Sequence, residues 1–140
     1  MEKKQLIKWE GVIYRVLAVE GENVLLIDCI HKTMPKWYGL DEISGHEICP
    51  EEELGEETEM VLEKEEDLKP RQRCVAHERF TVIAGILPFL DDDGMRATVI
   101  RKVSGMHGIS VQTVRKYLCQ YLVYQSISAL IPKERAVPER

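Results

Sequence analysis

No apolar run in this chain of 140 residues is long enough to cross a bilayer, and the opening Met1-Glu2-Lys3-Lys4-Gln5 leads into no signal-peptide core. Both absences lead us to expect an intracellular, cytoplasmic protein with no membrane partner. The four cysteines (Cys29, Cys49, Cys74 and Cys119) lie far apart and form no Cys-x-x-Cys pair. In an intracellular chain they are expected to be buried thiols, with no disulfide framework. A glycine-rich phosphate loop, a Ser-His-Asp or Cys-His set and internal repeats are all missing. Neither phosphate-loop nor nucleophilic chemistry is therefore expected.

What is present is enough apolar residue, 44%, to build a core. The length allows one ordinary domain or two small ones. The formal charge of −5 conceals an asymmetry. Residues 1–70 carry 8 Lys and Arg against 18 Asp and Glu, a net of −10, whereas residues 71–140 carry 11 against 6, a net of +5. Only the second half has the sign that suits phosphate contacts.

The first half reads as strands. Gln5–Trp9, Val12–Glu20 and Val24–Ile30 are β-rich runs separated by Glu10-Gly11 and Gly21-Glu22-Asn23, and Lys36–Leu40 adds a fourth. Short antiparallel strands over residues 1–50 suggest a small SH3-like β barrel. Pro50 closes it, and residues 51–69 hold acids at most positions, which reads as a solvated linker, in part helical. The alternatives, a DNA mimic or a contact for a basic partner, have no support in the pattern. Residues 70–135 read as three helices: Arg71–Leu87 between Pro70 and Pro88, about Gly94–Gly105 behind the acidic triplet Asp91-Asp92-Asp93, and a third beginning after Ser110 and running to about Tyr124. Residues 136–140 are a tail. The expected fold class is thus α+β: an SH3-like antiparallel barrel, an acidic linker and a trihelical helix-turn-helix domain.

The segment His107–Leu118 carries the functional reading. Gly108 supplies the turn, Ile109 can anchor it, Ser110 can cap the following helix, and Val114, Tyr117 and Leu118 recur as one buried stripe. Small Ser104 allows the two helices to pack closely. Ser110, Val111, Gln112, Thr113, Arg115 and Lys116 then form the face that can enter a major groove, with Arg96, Arg101 and Lys102 of the preceding helix placed outward for phosphates. A helical hairpin inside a larger core can imitate this pattern.

The run Gly108-Ile109-Ser110-x-x-Thr113-Val114-x-x-x-Leu118, the later Ala129-Leu130-Ile131-Pro132-Lys133, and the β-rich start with Tyr14-Arg15-Val16-Leu17 and Val24-Leu25-Leu26-Ile27-Asp28 resemble the N-terminal DNA-binding region of Mu/TnsB-type DDE transposases, of the integrase superfamily. Val111 stands where that family commonly has a basic residue. The resemblance implies double-stranded DNA as the partner, transposon ends in particular, together with other transposition proteins. Strand transfer needs three carboxylates on a ribonuclease-H-like fold holding two metals, more chain than follows residue 135. The chain is expected to be the DNA-binding portion alone, with no catalytic residue, cofactor or metal. The same helix could instead serve a stand-alone transcription regulator, or the chain could be a protein-interaction module.

Other constellations read more plainly. Cys29-Ile30-His31 and His46-Glu47-Ile48-Cys49 hold enough ligands for a zinc ion at an unusual spacing, and are expected to be buried cysteines and surface histidines. His77 and His107 have no evident partners. Asp91–Asp93 fits helix initiation better than a metal site. Trp9, Trp37 and Tyr38 could stack bases, but in an acidic half they are expected in the core.

Overall fold

The structure, a computed structural model, describes residues 1–132, so Lys133, the end of the expected helical domain and the expected tail at 136–140 lie outside the described residues. Left-handed Gly11 (φ +78°) and Gly21 (φ +58°) turn the chain between strands at two corners. They join β1 (Leu6–Trp9), β2 (Val12–Glu20) and β3 (Asn23–Asp28), which are followed by β4 (Lys36–Gly39) and β5 (Glu47–Ile48). All pairings are antiparallel, in the order β4-β3-β2-β1-β5. The ladder does not close, so the expected barrel is an open sheet. Its edges are β4, of four residues, and β5, of two.

Both faces of this sheet are covered, which explains the uninterrupted apolar run in β3. Leu25 and Ile27 join the cluster under the helices, while Val24 and Leu26 point the other way, toward Ile7, Val16 and Ile43. Trp9, Tyr14 and Tyr38 rim that second cluster, with ring centroids 6.1–6.2 Å apart. They are half-buried.

The acidic segment is more built than a solvated linker. Glu51–Thr58 forms helix α1, with Glu51, Glu52 and Glu53 at its positive end and Leu54 buried. Left-handed Glu59 ends it. Glu51 and Glu53 take partners in the fold, Arg15 and Lys8, and the chain then runs to buried Leu68.

Three longer helices follow: α2 (Pro70–Ala84), α3 (Asp93–His107) and α4 (Val111–Tyr124). Pro70 opens α2, with Gln72 Oε1 accepting from the Lys69 N–H at 3.1 Å. Asp92 caps α3 by accepting from the Met95 N–H at 3.0 Å. Ile83, Ile86, Ile100, Val103, Val114, Leu118, Leu122 and Val123 form one buried cluster with Leu6, Ile13, Leu17, Leu25 and Ile27 of the sheet. Sheet and helices therefore share a core. Arg15, 2% exposed, crosses it: its Nε donates to the Val123 carbonyl at 2.7 Å, and its guanidinium holds the Lys4 carbonyl (2.7 Å) and Glu51 (2.6 and 3.1 Å). No helix among the described residues is long and apolar enough to cross a membrane.

Candidate nucleic-acid interface

The turn between α3 and α4 is assembled from the residues that marked it in the sequence. Gly108 takes the left-handed conformation (φ +65°) that ends α3. The N–H groups of Gly108 and Ile109 both return to the Ser104 carbonyl, and the Ser104 hydroxyl donates to the Ile109 carbonyl. Ser104 is thus a bonding partner as well as a small one. Ser110 caps α4, its Oγ accepting from the Thr113 N–H at 3.1 Å and lying 2.9 Å from the Thr113 hydroxyl.

Beyond the cap, α4 has a buried side and an exposed one, and Tyr117, expected in the buried stripe, is instead half-buried between them, lining a cleft. Val114, Leu118, Leu122 and Val123 are buried. Gln112, Arg115 and Lys116 are exposed and fall at i, i+3 and i+4, one continuous outward strip. Val111 and Thr113 are half-buried, Val111 against the core. Ser110 and Thr113 have hydroxyls already engaged with each other and with the helix end, so they shape the surface more than they present donors.

On α3, Arg101 and Lys102 are exposed as expected. Arg96 is not. It is 6% exposed, donating to the carbonyls of Leu90 and Pro35 (3.3 Å to the latter) and pairing with Asp93 at 2.9 Å. Its position one turn into α3 turns it toward the β3–β4 loop. It is a structural tie, and the outward phosphate role assigned from the sequence is corrected. After Asp93 no acid occurs through residue 132, so nothing on α3 or α4 beyond that point offsets Arg101, Lys102, Arg115 and Lys116.

No family model matches this chain, and no curated protein matches it. Two cations that sequence reasoning passed over border the same strip. Lys32, on the loop after β3, and Arg79, on α2, line a cleft together with Gln112, Arg115 and Lys116. They come from elements far apart in the chain, and no local pattern announces them.

The remaining candidates have other partners. Cys29 is buried, His31 pairs with Asp28 at 2.7 Å, His46 Nδ1 donates to the Ile43 carbonyl at 3.0 Å, and Cys49 donates to Glu53 at 2.8 Å. Among the described residues no three His, Cys, Asp or Glu are grouped to hold a metal ion. His77, partnerless in the sequence, meets Glu65 at 2.6 Å. Trp37 packs beside the shared core and donates to the Asp91 carbonyl at 3.3 Å. Burial pushes the thiols of Cys29 and Cys119 up, to about 12 and about 11, and burial together with the Glu53 carboxylate pushes Cys49 to about 12. Cys74, also expected inside, is exposed on α2.

Proposed function

We propose that the chain binds double-stranded DNA, with α3, the turn at 108–110 and α4 acting as a helix-turn-helix within the α2–α4 unit, and that its target is the end of a transposon, as in the Mu/TnsB-type transposases it resembles. The observation that carries this reading is the exposed strip Gln112, Arg115 and Lys116 on a helix capped by Ser110 and backed by buried Val114 and Leu118. Gln can bond an adenine edge and Arg a guanine edge in the major groove. Arg101 and Lys102, exposed on the helix before the turn and unopposed by any acid on α3 after Asp93, suit phosphates. The proposed role is binding alone, by side chains that need no metal.

Selection from a random duplex pool, followed by anisotropy titration in a chelator, tests it. One sequence family should be enriched. Gln112→Ala and Arg115→Ala should each weaken the enriched duplex by about 1–3 kcal/mol and relax preference at one base pair. Wild-type-like binding and preference in the double variant would refute the assignment of α4 as the reading helix.

A further inference from the structure

Beneath the outward strip of α4 lies a cleft of about 690 Å³, a size that holds a small organic molecule. Met34, Tyr117, Leu130, Ile131 and Pro132 give it apolar walls. Four cations border it, Lys32, Arg79, Arg115 and Lys116, and no Asp or Glu among the described residues lines it. None of the four pairs with a carboxylate among the described residues. The Arg79 guanidinium lies 4.8 Å from the Tyr117 ring centroid and donates to the Leu130 carbonyl at 3.0 Å, which leaves further N–H donors unused. The Lys32 ammonium stands 5.0 Å from the Tyr124 ring centroid.

From this pairing of an apolar floor with unopposed positive charge, we infer that the cleft is a binding site for a small amphipathic anion: an apolar body carrying one carboxylate head. A DNA phosphate would satisfy the cations and leave the floor unused, and a neutral apolar ligand would do the reverse. Only a molecule with both parts uses all the walls. The head meets the cations through charge-assisted bonds, and the body covers the floor and displaces water from it.

A regulatory consequence rests on the DNA reading. Gln112, Arg115 and Lys116 border both the cleft and the proposed groove-facing strip. An anion held among them lowers the charge available to DNA, so ligand and duplex oppose each other, and by linkage each weakens the other equally.

The test is calorimetric titration of the full chain with sodium decanoate, with decanol as the uncharged analogue and acetate as the head alone. Decanoate should bind saturably at one site, decanol about tenfold more weakly or worse, and acetate not at all. Lys32→Gln/Arg79→Gln should weaken decanoate about tenfold and leave decanol unchanged. If the double variant does not fold, Lys32→Gln alone supplies the comparison, because that side chain makes no hydrogen bond or ion pair among the described residues. Equal binding of decanol and decanoate, an absence of saturable binding, or unaltered affinity in the folded variant would each overturn the site. Saturating decanoate should also raise the Kd for the selected duplex. A duplex that binds and does not respond overturns the coupling, whereas decanoate binding with no duplex binding at all refutes the DNA reading and upholds the cleft.

Discussion

Replacing Arg15 by Met tests whether the sheet and the helices stand or fall together. The thioether keeps most of the apolar stem in place, so the loss is confined to the guanidinium. That group serves three acceptors, and they are unequal. The Val123 carbonyl is in the last turn of α4, where helix carbonyls lack an internal partner, and the Arg15 bond to it is buried. Leaving it unsatisfied costs about 1–3 kcal/mol. The Lys4 carbonyl sits in an exposed terminal segment, and water can replace its donor. Glu51 is 65% exposed on its side chain, so its pair with Arg15 contributes about 1 kcal/mol or less. Arg15→Met should therefore destabilise by about 2–3 kcal/mol, a fall in Tm of roughly 10 °C for a chain of this size, and Glu51→Gln by about 1 kcal/mol at most. Urea unfolding followed at once by far-ultraviolet dichroism and by the fluorescence of Trp9 and Trp37 measures both quantities. Wild type and variant should each show one transition, coincident in the two signals, because the bond joins β2 to α4 across a shared core. A loss below about 1 kcal/mol, equal costs for the two substitutions, or a tryptophan signal that separates from the helical one would refute this account.

Two further outcomes follow from burial. Thiol labelling at neutral pH should modify Cys74 quickly and Cys29, Cys49 and Cys119 only on unfolding, with Cys74→Ser removing the fast phase. Because burial holds the Cys29 and Cys119 thiols above their ordinary value of 9.0, the unfolded chain loses these protons first, and stability should fall as pH rises from about 9 toward 11, measured by urea midpoints. Arg96→Ala should lower stability by about 2–4 kcal/mol through its orphaned carbonyls while leaving the salt dependence of the proposed DNA binding unchanged. Arg101→Ala/Lys102→Ala should do the opposite, reducing the slope of log K against log salt by about 2 with little effect on folding.

The local signals were the legible ones. Gly11 and Gly21 sit at strand corners, Pro70 opens α2, Asp92 caps α3, and Gly108 and Ser110 bracket the α3–α4 turn, each a residue whose backbone preference acts within a few positions. β2 and β4 begin where the β-rich runs begin. What was not legible depends on partners distant in the chain. Two-residue β5 exists only because β1 offers it an edge, at Ile7 and Lys8. α1 reads as a solvated acidic run until Leu54 finds the shared core and Glu51 finds Arg15. A run of acids says nothing about which of them will be bonded.

The same limit explains the arginines, and it bears on function. Composition counts every cation as surface charge, but Arg15 and Arg96 are both inside, each satisfied largely by backbone carbonyls of another element. Their charge does not reach an approaching ligand at full strength. Their geometry does more. Arg15 fixes the C-terminal end of α4 to β2, and Arg96 fixes the start of α3 to Pro35 in the β3–β4 loop. The acidic half, whose sign argues against nucleic acid, thereby sets the position of the helix proposed to read it. The α3–α4 pair, tied at its first and its last turns, loses little conformational entropy when it docks. The sheet's part in the proposed binding is thus to hold α4 in place, while the loop after β3 brings Lys32 to the border of the strip.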